Sequence, residues 1–163
     1  MARWREVADT APEFARQVRA LMDAHRHKTI ATLRADGSPR ISGIEAYFIG
    51  DELCFGSMPG ARKALDLRRD PRFALHTASV TPDEEDPSSW PGDAKFTGRA
   101  VEITDRAEIE DLLRDRGLDP AAFPDSHFFR ADIHEVVRTR VQGDRLHIDL
   151  WRPGQPLRHF ERT

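Results

Sequence analysis

The sequence predicts an α+β, mainly β protein: an antiparallel barrel of about six to seven strands with flanking helices. Three observations predict it. Short strand-forming segments follow one another closely, tight glycine-containing turns join them, and only three segments carry helical spacing.

From the N-terminus, Pro12 to His25 is the first helix, with Phe14, Val18, Leu21 and Met22 on one face. Lys28–Leu33 is rich in β-formers, and Ala35-Asp36-Gly37-Ser38 is a turn. Arg40–Phe48 alternates as a second strand, Gly50-Asp51 turns the chain, and Glu52–Ser57 is a third. Three strands joined this way form an antiparallel meander. Met58-Pro59-Gly60 ends it. Ala61–Arg69 is a short helix with Ala64, Leu65 and Leu67 expected inward, stopped at Asp70-Pro71. Arg72–Ala78 is a fourth strand. Ser79–Asp93 holds three prolines and the acidic run Asp83 to Asp86, the marks of a solvated surface loop. Ala94–Ile103 is a strand interrupted by Gly98. Asp105–Arg116 is a helix with Asp105 at its cap and Gly117 after its end. His127–Gln142 and Arg145–Trp151 are the last two strands, joined at Gly143-Asp144.

A length of 163 residues fits one domain, and 39% apolar with 33% charged residues is ordinary for a globular chain. The net charge of −3 argues against a general nucleic-acid binder. No stretch approaches the roughly 18 apolar residues that span a bilayer, and Met1–Thr10 has no apolar signal core, so a cytoplasmic protein is expected. Cys54 is the only cysteine; it excludes an internal disulfide and is expected to pack in the core. No metal site is expected: His25 and His27 have no completing ligands nearby, and H-E-x-x-H and C-x-x-C are absent. No G-x-S-x-G elbow is present either. No catalytic side chain can be named, which suits chemistry carried by a cofactor.

The informative segment is Phe55-Gly56-Ser57-Met58-Pro59-Gly60-Ala61-Arg62-Lys63-Ala64. It runs from strand through a glycine turn into a helix start, where free N–H groups and two cations suit a phosphate. A solvated basic helix start is the plain alternative. Gly60-Ala61-Arg62-Lys63-Ala64 with Leu67-Arg68-Arg69-Asp70-Pro71-Arg72 resembles the G-S-R-K-A…N-P-R segment of pyridoxamine 5′-phosphate oxidase-like proteins. Ile30-Ala31-Thr32-Leu33 with Asp36-Gly37-Ser38-Pro39-Arg40, Asp93–Ala100 and Phe129–Ile133 are also similar to family segments, in order, over about residues 25–152.

The resemblance implies a split β-barrel, residues 1–163 as a single flavin-binding domain, and a homodimer with the cofactor at its interface. It implies that Arg62 and Lys63 hold the cofactor phosphate, joined by Arg40, that Ile41 and Ser42 run along the ring, and that Gly56 and Ser57 approach it. The implied cofactor is FMN, or the deazaflavin coenzyme F-420, with haem as a further alternative. The implied function is hydride transfer between that cofactor and a small organic substrate; the competing reading is a non-catalytic cofactor binder. Two positions depart from the family pattern. Ala61 replaces a serine, removing a hydroxyl donor. Glu45 stands where true pyridoxamine phosphate oxidases have a phosphate-gripping lysine, so vitamin B6 oxidation is not expected. Arg68, Arg69 and Arg72 are candidates to extend the basic surface toward the acidic tail of a deazaflavin. Trp151 is expected to pack in the core or, alternatively, to cover the cofactor; Trp90 is expected as a loop anchor or a lid.

Overall fold

The computed structural model describes residues 2–163. Helices α1 (Trp4–Thr10) and α2 (Pro12–Asp23) precede strands β1 (His27–Leu33), β2 (Pro39–Ile49) and β3 (Glu52–Ser57). Helix α3 (Arg62–Arg69), β4 (Arg72–His76), β5 (Asp93–Ile103) and α4 (Arg106–Asp115) follow. Strands β6 (His127–Gln142), β7 (Arg145–Trp151) and β8 (Arg158–Arg162) complete the chain.

All strand pairs are antiparallel, in the order β3-β2-β1-β4-β5-β6-β7-β8. A further pairing of β3 with β6 closes the first six strands into a barrel. β6 makes this possible by its length. Its first residues, His127–Arg130, pair with β3, and its second half, Val136–Gln142, pairs with β7. β7 and β8 therefore extend the sheet beyond the closed barrel.

Alternation places Ile30, Ile44, Ala46, Phe55, Leu75, Phe96, Phe129 and Ile133 in one core. α1 and α2 add Trp4, Val7, Phe14, Val18 and Met22, and α3 adds Ala64 and Leu67. Trp4 lies against Phe48 at 4.5 Å between ring centroids. At the β5–β6 bulge a Cβ on Gly98 would sit 2.1 Å from the Asp132 carbonyl, so only glycine fits. The Ile133 N–H at this irregularity donates to the Ala2 carbonyl, which ties the N-terminal segment to β6.

Two expectations change. The helix α1 and the strand β8 are additional elements, so the count is eight strands and four helices among the described residues. Leu65 points outward, and its neighbour Asp66 is the buried residue, only 3% exposed. Trp151 lies in the core as expected, 1% exposed, and its indole N–H donates to Thr10 Oγ1 at 2.9 Å. The acidic loop is exposed as expected, with Trp90 half-buried at its end. No helix among the described residues is long and apolar enough to cross a membrane.

Candidate functional site

Helix α3 begins after a tight turn in which Gly60 has a positive φ of 68°. The Gly60 N–H donates to His127 Nε2 at 3.2 Å. His127 Nδ1 lies 3.5 Å from Glu102, which takes a bidentate grip from Arg68. The turn is thus held from β6 through one imidazole. Among the described residues no side chain caps α3; the Ala64 N–H is taken by the Ala61 carbonyl at 2.9 Å, so the N–H groups of Arg62 and Lys63 are the ones left for a ligand.

Two hollows flank this helix start. The first has a volume of about 310 Å³. One wall is a row of directly paired residues, His27, Glu45, Gly56 and Phe128, crossing β1, β2, β3 and β6. This row faces away from the barrel core. Leu113 of α4 and Arg116 just past its end build the opposite wall, because Leu113 and Ile109 dock on Phe128 and Ile103 as a second small core. Gly43, Ser57 and Lys63 also line the hollow. A Cβ on Gly43 would meet nothing within 4 Å, so the strand surface there is open. Ser57 Oγ is buried without a hydrogen-bond partner among the described residues. Lys63 Nζ donates to the Gly43 carbonyl at 2.8 Å, and burial lowers its pKa from the ordinary lysine value.

The second hollow, about 400 Å³, is lined by Arg34, Arg40, Arg62 and Arg69 together with Asp36 and Asp66. Asp66 is its buried anchor. It accepts from Arg40 Nε at 2.6 Å, Thr32 Oγ1 at 2.9 Å and Arg69 at 3.1 Å. Burial raises the Asp66 pKa, but the bonds from Arg40, Thr32 and Arg69 together outweigh it and hold the carboxyl below its ordinary value.

The seven candidate cofactor residues therefore divide. Gly56, Ser57 and Lys63 line the first hollow, and Arg40 and Arg62 the second. Ile41 is 76% exposed on β2, and Ser42 is half-buried beside it. Arg62 and Lys63 do not point at one spot; they straddle the helix start.

The basic cluster is also less basic than its sequence. Arg68 is bound to Glu102, Arg69 to Asp66 and Arg72 to Asp70. Their charges are taken, so they do not form the free cationic surface expected for an acidic tail. Within the cluster, Arg62 and Lys63 alone have no carboxylate partner among the described residues.

Glu45 is also partnered. Arg116 approaches it at 3.2 Å and Arg26 at 3.8 Å, and the Arg116 guanidinium stacks over Tyr47 at 3.6 Å. Sequence reasoning missed Arg116, Asp66 and His127. Each acts through a partner far away in the chain, and none belongs to a motif.

The family model for pyridoxamine 5′-phosphate oxidase matches residues 14–140, most of the chain. The chain belongs to the pyridoxamine 5′-phosphate oxidase family. No curated protein sequence matches it. Among solved structures, one is 25% identical, covering 82% of this chain and 90% of its own, with a TM-score of 0.62. A haem-binding protein from Mycobacterium smegmatis is 19% identical, with a TM-score of 0.58 over 83% of this chain; the match spans 56% of that protein. General Stress Protein 26 from Bacillus anthracis is 12% identical, with a TM-score of 0.58 over 76% of this chain and 91% of its own. These last two likenesses concern the fold. In this member of the pyridoxamine 5′-phosphate oxidase family the Arg-Lys pair stands at a helix start and Glu45 is ion-paired.

Proposed function

We propose that this protein is an oxidoreductase that binds FMN or a deazaflavin at the start of α3 and passes hydride to or from a small organic substrate. One observation carries the reading. The only two cluster cations without carboxylate partners among the described residues, Arg62 and Lys63, stand at an uncapped helix start beside an open glycine-lined strand surface.

The residues fit such a group. Lys63 and the first N–H groups of α3 would hold its phosphate from the first hollow, and Arg62 would have to swing across the helix start to join them, while Arg40, fixed by Asp66, adds charge from the second hollow. Gly43 leaves space for a flat ring against the strands, and Ser57 Oγ has a hydrogen bond to give. The group itself supplies hydride transfer. The chain binds and orients it, and Leu113, Phe123 and Phe128 exclude water from one side of the hollow.

A hollow of about 310 Å³ is at the small end of ligand pockets, which run to roughly 1,000 Å³. One chain thus encloses only part of a nucleotide-sized cofactor. Ile41 and Met58, 76% and 77% exposed, lie next to it in sequence and strand. A second copy of the chain placed over this face would cover both and complete the site.

Titration of the purified protein with each cofactor, followed by absorbance and by quenching of cofactor fluorescence, tests the reading. Bound bands at about 450 nm support flavin and at about 420 nm deazaflavin. A Soret band would replace this reading by the haem alternative, for which His27 in the hollow wall is the ligand to mutate. Binding of none of them would overturn it.

A further inference from the structure

The β7–β8 hairpin carries a cluster that the cofactor site does not use. Register pairs His147 with Glu161 and Asp149 with His159, so the four side chains project from one face. His147 Nδ1 lies 3.3 Å from His159 Nε2 and 3.7 Å from Glu161 Oε1. His159 Nε2 lies 3.5 Å from the same Glu161 oxygen. Three donor atoms thus form a nearly equilateral triangle. A tetrahedral ion with bonds of about 2.0–2.1 Å holds its ligand atoms roughly 3.3–3.4 Å apart, so the triangle is close to the size such an ion needs.

The atoms behind the triangle are arranged to support it. Asp149 Oδ1 stands 2.7 Å from His159 Nδ1. A proton on Nδ1 donated to this carboxylate leaves the Nε2 lone pair pointing into the triangle, the arrangement that orients and strengthens a metal-binding imidazole. Arg145 bonds to Glu161 Oε2 at 3.0 Å, which fixes the carboxylate and leaves Oε1 for the cluster.

We propose that His147, His159 and Glu161 bind a zinc ion, with Asp149 orienting His159 and water at the fourth position. Two nitrogens and one oxygen suit zinc and not the all-oxygen preferences of magnesium or calcium. The bound ion links β8, exposed along its whole length, to β7. Arginines lower the affinity: Arg140 is in register with His147, Arg138 lies 3.6 Å from Asp149, and Arg145 holds Glu161.

The test uses full-length, tag-free, chelator-treated protein titrated with cobalt(II) and then zinc(II). One equivalent of cobalt should give the intense visible bands of a tetrahedral site, and zinc should abolish them. His147→Ala, His159→Ala and Glu161→Gln should each weaken binding at least tenfold, and Asp149→Asn about tenfold to a hundredfold. Arg140→Met should tighten it. His134→Ala, an exposed histidine on β6, is the control and should change nothing. Zinc should also slow amide exchange across residues 158–162. Absence of the cobalt bands in a protein with unchanged far-ultraviolet circular dichroism overturns the proposal. So does binding that survives both histidine substitutions.

Discussion

Arg62 and Lys63 set the strongest expectation at the scale of single residues. A charge-assisted contact is worth about 1.5–3 kcal/mol, and each 1.4 kcal/mol is about tenfold in Kd. Arg62→Ala or Lys63→Ala should therefore weaken cofactor binding about tenfold to a hundredfold by fluorescence titration. Arg62→Ala should leave stability within about 0.5 kcal/mol, since the side chain has no partner to lose among the described residues. Equal binding by both variants and the parent would remove the phosphate site. Glu45 gives a second expectation. Its charge is offset by Arg116, so simple repulsion of a phosphate is a weaker argument than the sequence alone suggests; what matters is that Arg116 is occupied. Poor turnover of pyridoxamine phosphate is still expected, and Glu45→Gln should release Arg116 and tighten binding of anionic ligands severalfold by calorimetry. Unchanged anion affinity would contradict this. Cys54 behaves as the sequence suggests: burial pushes its thiol pKa up to about 12. The Arg-Lys pair was legible because a local pattern carries it. Arg116 was not, because it meets Glu45 across 71 residues of chain.

The element whose packing is most open to test is α3. Its buried Asp66 ties Thr32 of β1 and Arg40 of β2 to the helix. Asp66 is ionised in the fold and its pKa is lowered, so its contribution to stability is complete above the ordinary carboxylate value of 3.8 and is lost as pH falls through the lower folded value. Asp66→Asn should cost about 1–3 kcal/mol in urea unfolding at pH 7. The difference between parent and variant should shrink below about pH 4. A constant difference down to pH 2 would show that the charge is not what matters. Most elements were legible: the first seven strands lie within a few residues of the spans their turns and alternation indicate. The inward face of α3 was misjudged at one step, because the ion pairs that draw Asp66 in and leave Leu65 out are tertiary. α1 and β8 escaped notice for different reasons. Trp4–Thr10 buries only Trp4 and Val7, too few residues to show a period. Arg158–Arg162 has no buried residue, and it is a strand because β7 offers it an edge.

For the whole molecule, assembly is the expectation that matters most. Light scattering at micromolar concentration should give twice the chain mass. Ile41→Asp, placed on the exposed face of β2, should shift the protein toward monomer and weaken cofactor binding together. A monomeric parent that binds cofactor tightly would sink the shared-site reading. The closure of the barrel bears on how the protein is made. β3 finds its second neighbour only in β6, and the Gly60–His127 bond at that seam joins residues 67 apart. Translation at about 5–20 residues per second places roughly 3–13 s between their arrivals. During that time the nascent chain exposes the edge Cys54-Phe55-Gly56-Ser57 with the N–H and C=O groups that β6 will pair left open. This is the interval in which aggregation competes with folding, and slowing the ribosome over residues 60–127 should lower the soluble yield.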